Sequence, residues 1–262
     1  MITQSVRDEL APSGELRIGI NCGNAVLASR DVVSGKLSGV AVDLAQELGR
    51  RCEMPVELVT FDSAGKMTAA LQTHGWDAAF LAVEAGRANE IAFTAPYLLI
   101  EGTYLIPPGS AIHSIADVDR AGVRVGVSAG SAYHLYLSRN LHHAQMVEAE
   151  NPKTTVDLLI DGKVDVIAGV RQALTANAAK LKGARVFDER FMAIEQAMGM
   201  PHGRPAGLQF LREFIEEVKA SGFVARALER AGIRGVAVAP LIERNSRKER
   251  KVRKNISESY SP

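Results

Sequence analysis

Arg87 stands just past a short apolar run, Ala78–Val83, that reads as a buried strand. In open α/β sheets ligands bind beyond the carboxyl ends of strands, and a guanidinium there presents a planar fork of donors suited to two carboxylate oxygens. The competing reading is a surface arginine that opens the next short helix. Gly130-Ser131 lies between an apolar run, Val123–Val127, and a helix-period segment, Ser131–Asn140. Free backbone N–H groups at a helix start, with a serine hydroxyl, make an anion site. A plain cap gives the same pattern, and the two roles are compatible. Gly126-Val127-Ser128-Ala129-Gly130 also satisfies the G-x-S-x-G nucleophile pattern, with Asp165 or Asp188 and His202 following in the order a hydrolase needs. No HGGG-like oxyanion segment precedes it. His142 and His143 are adjacent, so on a helix they face different sides and share no metal. Neither a Walker-type nor a G-x-G-x-x-G phosphate loop is present, and no cofactor is expected.

The elements that hold these residues alternate. Strands are predicted at Leu16–Ile20, Val56–Thr60, Ala78–Val83, Val123–Val127, Gln145–Glu148 and Val164–Ala168. Helices are predicted around Val40–Leu48, Gly65–Gln72, Ser131–Asn140, Lys153–Ile160, Gly207–Ala220 and Gly222–Ala231. That alternation is the mark of an α/β fold with parallel strands. A sequence echo divides it in two. His74-Gly75-Trp76-Asp77 before Ala78, and Asp161-Gly162-Lys163-Val164-Asp165 before Val166, both give helix end, glycine, aspartate, buried strand. In each the glycine is positioned to take the left-handed turn that stops a helix. Two similar α/β lobes account for the echo better than one continuous sheet, although such turns are common in any α/β protein.

Composition sets the class. The chain has 262 residues, 47% hydrophobic and 23% charged, with a formal net charge of +1. From Leu241 onward seven basic residues face three acidic ones, which leaves residues 1–240 at a net −3. A body of that charge lacks the basic stripe needed to track nucleic acid. The tail, 241–262, reads as a disordered basic extension. Cys22 and Cys52 fit neither a disulfide framework nor a metal spacing and read as two buried thiols. No apolar run approaches the roughly 18 residues of a membrane span, and Met1–Gly14 lacks the layout of a signal peptide, so the sequence as written points to the cytoplasm.

The ordered set Gly39-Val-Ala-Val-Asp43, Trp76-Asp77-Ala78-Ala79, Arg87 to Tyr97, Val123-Arg-Val-Gly126-Val127, Gly130-Ser131 and Gly162-Lys-Val-Asp165 resembles the family 3 extracellular solute-binding proteins, which include the amino-acid receptors of ABC importers. The resemblance covers about residues 14–235. It implies two Rossmann-like lobes joined by two crossing strands near Thr103–Ile106 and Phe191–Met198. The first lobe would be residues 1–104 plus 195–240 and the second 105–194, closing by hinge bending over a ligand. It implies a periplasmic location if an export signal is missing, an ABC permease as partner, and a monomer. Arg87 matches the family arginine that grips a carboxylate, and Ser131 the contact from the second lobe. Phe61 matches an aromatic that packs on the ligand, though a core ring explains it as well; Tyr133 is a weaker candidate of the same kind.

Two departures from the pattern bear on the ligand. Leu81-Ala82-Val83-Glu84 replaces the hydroxyl residues that usually precede the arginine, and Arg171 falls near the place of the acidic partner of the ligand ammonium. An ammonium left without a charged acceptor in a closed cleft is costly. Unless Glu84 or Glu101 supplies that charge, the expected ligand is a small anionic acid without an amino group, contacted by Arg87 and by Arg171 if the latter faces inward. Two alternatives stay open. One is a dehydratase or lyase on the same lobes, with Glu84 or Glu195 as general acid; the other is a cytosolic sensor.

Overall fold

A computed structural model gives the fold of residues 2–242. The order of elements is α1 (Gln4–Leu10), β1 (Leu16–Asn21), a hairpin of β2 (Ser29–Arg30) and β3 (Leu37–Ser38), α2 (Val40–Cys52), β4 (Val56–Phe61), α3 (Ala64–Ala69), β5 (Ala78–Ala82) and β6 (Ile91–Ile106). There follow β7 (Arg124–Ser128), α4 (Ala132–Asn140), β8 (Gln145–Ala149), α5 (Pro152–Ile160), β9 (Val166–Val170), α6 (Arg171–Ala178), β10 (Arg185–Val186), β11 (Met192–Pro201), α7 (Pro205–Ala220), α8 (Phe223–Arg230) and β12 (Ala237–Val238). Each predicted strand and helix is present within a few residues. The sequence reading missed α1, α6, most of β6 and the two-residue strands β2, β3, β10 and β12.

The strand order β4-β1-β5-β11-β6-β9-β7-β8 carries the two-lobed plan. β1 lies between β4 and β5, parallel to both, and β7 lies between β8 and β9 in the same way. Between these parallel trios run β11 and β6, antiparallel to each other and to the strands they flank. They are the two crossing strands. β6 is 16 residues long and contains Pro96, which cannot donate to a ladder. The register of β11 against β6 slips on either side of Ala197, the partner of Pro96, so the proline sits at an irregularity where no ladder bond is required.

The sequence echo has a physical counterpart. Asp77, fully buried, accepts from the backbone N–H of Arg17 and from its Nε and Nη2, the latter two at 3.0 Å. Asp165 accepts from the backbone N–H, Nε and Nη2 of Arg124 at 2.7, 3.1 and 2.8 Å. In each lobe the aspartate ahead of one strand thus clasps the arginine at the start of its parallel neighbour. The turn differs from expectation in one copy. Gly162 does take positive φ (67°), but in the first lobe His74 takes it (52°), one residue before Gly75. Gly75 is needed for space instead, since a Cβ there would meet Ala70 at 3.0 Å.

The core follows the parallel strands. Leu16, Ile18 and Ile20 of β1 are fully buried and pack under α2, whose Val40, Leu44 and Leu48 present the helix-period stripe seen in the sequence. Val125 and Val127 of β7 do the same for the second lobe. Cys52 is buried, whereas Cys22 is only half-buried, and both thiols are free. No helix of the described residues is long and apolar enough to cross a membrane. The expectation for the tail falls on residues outside the described ones, except Leu241 and Ile242, which are exposed.

Candidate functional site

The carboxyl ends of β1, β5, β7 and β9 converge between the lobes on an enclosed cavity of about 70 Å³. Helices α4, α5 and α6 start around it, and β11 crosses its floor through Ile194 and Gln196. The lobes touch around the rim. Arg87 Nη2 of the first lobe donates to Gly130 O of the second at 2.7 Å, Arg139 pairs with Glu84 at 2.5 Å, and Lys66 pairs with Glu150. Gly65 in α3 and Gly130 face each other so closely that a Cβ on Gly65 would lie 2.5 Å from Ala129 O. The cleft is closed.

Arg87 is 4% exposed and lines this cavity. Its Nη1 donates to Ala82 O at 2.9 Å, while its Nε is buried with no partner. Burial pushes the guanidinium down to about 10, opposed by the charge of Glu84. Two asparagines lie alongside. Asn21 Oδ1 accepts from Gly23 N at 3.0 Å and Asn24 Oδ1 from Val26 N at 3.1 Å, closing local turns at the end of β1. Those turns use the carbonyl ends of both side chains, so their NH2 groups are the ends left for a ligand. Ser131 caps α4, accepting from His134 N at 3.1 Å, and its side chain lines the cavity. Tyr133 and Ser128 complete that wall. Burial pushes the Tyr133 phenol up, and hydrogen bonding with Ser131 and Ser128 pulls the other way. Among the described residues Arg87 is the only formally charged side chain in the lining. The rest is amide, hydroxyl and hydrocarbon.

Of the residues singled out in the sequence, Arg87, Ser131 and Tyr133 meet at this cavity, whereas Phe61, Glu84 and Arg171 do not line it. Phe61 belongs to a separate open recess with Cys22, Arg30, Thr60, Asp62 and Lys66, its ring packed toward Met67 and Trp76. Arg171 corrects the expectation of a second inward cation. It starts α6 and turns to Glu101, at 2.6 Å, and to the carbonyls of Phe187, Asp188 and Glu189. Glu101 is in turn held by Arg190 as well, so it too is occupied outside the cavity.

The two carboxylates considered as general acids are also elsewhere. Burial pushes the Glu84 carboxyl up, but the Gly86 N–H and Arg139 outweigh it and hold the group below the ordinary carboxylate range. Glu195 is exposed, on the opposite face of β11 from the buried Gln196. The hydrolase pattern finds no base at Ser128. His202 bonds Ala88 O, Asp165 is clasped by Arg124, and the nearby His134 spends Nδ1 on Gly130 N and turns Nε2 toward Glu148. His142 and His143 lie beyond the end of α4, not on a helix, and their backbone N–H groups bond Asp119.

Sequence reasoning missed Asn21, Asn24, Asn177 and Gln196. Asn21-Cys22-Gly23-Asn24 directly after a buried strand is a turn signal at the end where ligands bind, and it would have pointed to the first two. Nothing local marks Gln196, because its position depends on how β11 crosses the molecule.

Comparison with known proteins agrees with this architecture. The model of the bacterial extracellular solute-binding proteins, family 3, matches residues 16–232, and the chain belongs to that family. It is 24% identical over 191 residues to the L-cystine-binding protein TcyJ of Escherichia coli (strain K12), covering 72% of this chain and 71% of that protein. Among solved structures it is similar to the solute receptor for L-cysteine of Neisseria gonorrhoeae, with a TM-score of 0.76 and 20% identity over 87% of this chain and 93% of the other. It is also similar to the ancestral amino-acid-binding protein AncCDT-1, a precursor of cyclohexadienyl dehydratase, with a TM-score of 0.72 and 22% identity over 85% and 97% of the two chains. The fold is the type II periplasmic-binding fold of that family.

Proposed function

We propose that this family 3 solute-binding protein binds a small carboxylic acid that lacks a charged amino group, and delivers it to an ABC permease. One observation carries the reading: among the described residues Arg87 is the only charged side chain lining the closed cavity, and no carboxylate lines it. The available groups are chiefly donors. The buried Nε of Arg87, the NH2 groups of Asn21 and Asn24 and the Ser131 hydroxyl all suit a carboxylate. A zwitterionic amino acid would set an ammonium beside the guanidinium with only neutral acceptors to hold it.

The relatives named above carry amino acids, and the acid reading is a departure from them that rests on this lining. Binding rather than catalysis is favoured because no general acid or activated nucleophile reaches the cavity among the described residues. The lobes we assign are residues 1–104 with 195–240, and 105–194, with ligand exchange by opening at the crossing strands.

A thermal-shift screen of the purified protein against organic acids and amino acids tests the reading. A ligand present at ~100 times its Kd adds about 2.7 kcal/mol of stability. Shifts are expected with small carboxylic acids and not with the matching amino acids. Shifts confined to amino acids would overturn it.

A further inference from the structure

Resting on the acid-binding reading above, we infer that Gln196 selects among carboxylic acids, favouring those that carry a hydroxyl on the carbon next to the carboxylate. Gln196 lies on the crossing strand β11, is 4% exposed, and lines the cavity. Its Oε1 is buried and has no hydrogen-bond partner in the protein. A buried carbonyl oxygen without a donor is costly, and Gln196 lines the cavity from which a ligand could supply one. The register of β11 slips between Gln196 and Ala197, and such irregularities redirect the side chains next to them.

The second anchor is adjacent. Gln196 pairs with Ala82 across the sheet, and Ala82 O receives Nη1 of Arg87. Two residues lining this one cavity thus each hold a buried polar atom without a partner among the described residues, the acceptor Gln196 Oε1 and the donor Arg87 Nε. A plain carboxylate answers the arginine and leaves the glutamine unanswered. A 2-hydroxy acid answers both, because its O–H stands one carbon from the carboxylate. A hydroxyl both donates and accepts, so it fits the amide in either orientation of its O and N atoms. A 2-oxo acid has no donor to offer. A 2-amino acid has three charged donors, for which this one neutral acceptor is too little beside the guanidinium.

Calorimetric titration with one four-carbon series distinguishes these cases: butanoate, 2-oxobutanoate, both enantiomers of 2-hydroxybutanoate, and both enantiomers of 2-aminobutanoate. One hydroxy enantiomer is expected to bind the unsubstituted protein at least ~10-fold more tightly than butanoate or the oxo acid. Gln196→Met should erase that preference, read as the ratio of hydroxy-acid to butanoate affinity within the same variant. Gln196→Glu should shift the preference toward 2-aminobutanoate by supplying the missing anion. Equal binding of butanoate and both hydroxy enantiomers by the unsubstituted protein would overturn the role of Gln196 while leaving the acid reading intact. Tight binding of 2-aminobutanoate alone would overturn the acid reading itself. Should Gln196→Met fail to fold, the unsubstituted series still decides.

Discussion

Arg87 shows how much one side chain can be asked to do. It binds Ala82 O within its own lobe and Gly130 O across the cleft, which leaves Nε buried and without a partner among the described residues. A lysine has one nitrogen and cannot fill these positions together. Arg87→Lys is expected to weaken acid binding by about 10–100-fold, the loss of a charge-assisted hydrogen bond of roughly 1.5–3 kcal/mol, as read by calorimetry. Arg171 gives the opposite case. Its guanidinium is held by Glu101 and by three carbonyls in residues 187–189. Arg171→Ala should leave acid affinity within twofold and lower unfolding stability by about 1–2 kcal/mol, measured by denaturant titration. Sequence reasoning set Arg87 in the cleft and Arg171 there only if it faced inward, and the difference between them lies in partners 16 to 70 residues away, which no local pattern reveals. Arg87 was legible because its competition is local: a strand end, a turn and a helix start.

At the scale of elements, the parallel trios were legible in the residues themselves, whereas the crossing strands were placed only through the family resemblance, and β6 only at its carboxyl end. Buried parallel strands are short apolar runs between helix-period segments, and that contrast is visible along the chain. β6 instead mixes Thr94, Pro96, Glu101 and Gly102 into a 16-residue strand, because it changes environment as it passes from one lobe to the other. The echo of Asp77 and Asp165 proved more informative than the glycines beside it. The two clasps also differ in depth, which ranks their contributions. Asp77 is fully buried and Asp165 about a third exposed. Asp77→Asn should cost about 3–5 kcal/mol, as when one partner of a buried pair is lost, and Asp165→Asn about 1 kcal/mol or less, both by urea unfolding. Arg124 holds the Asp165 carboxyl below its ordinary value. A depressed carboxyl stabilises the fold at pH values above its unfolded-state value near 4, and that contribution disappears as pH falls through the lower folded value. The stability difference between Asp165→Asn and the unsubstituted protein should therefore shrink below about pH 4.

For the whole molecule, the proposed function depends on closure, and the two lobes meet where Gly65 approaches Gly130. Gly65 has ordinary helical geometry, so an alanine there suits α3 locally, by about 0.5–1 kcal/mol in helix preference. Its Cβ would nevertheless sit 2.5 Å from Ala129 O in the closed state. Gly65→Ala should leave thermal stability without ligand unchanged or raised, weaken ligand binding at least ~10-fold, and keep the radius of gyration from contracting when ligand is added, as read by small-angle scattering. Gly130 is no substitute in this test, because its positive φ (67°) would strain any replacement. The central claim concerns what the closed cleft holds: an acid gripped by Arg87 with no anion for an ammonium. Its most direct test is calorimetric titration of the purified protein with carboxylic acids of three to six carbons and with the amino acids of the same skeletons. The account predicts that at least one acid binds ten or more times more tightly than its amino counterpart, and that Arg87→Met abolishes the binding. Amino acids binding as tightly as the acids, or more tightly, would contradict it.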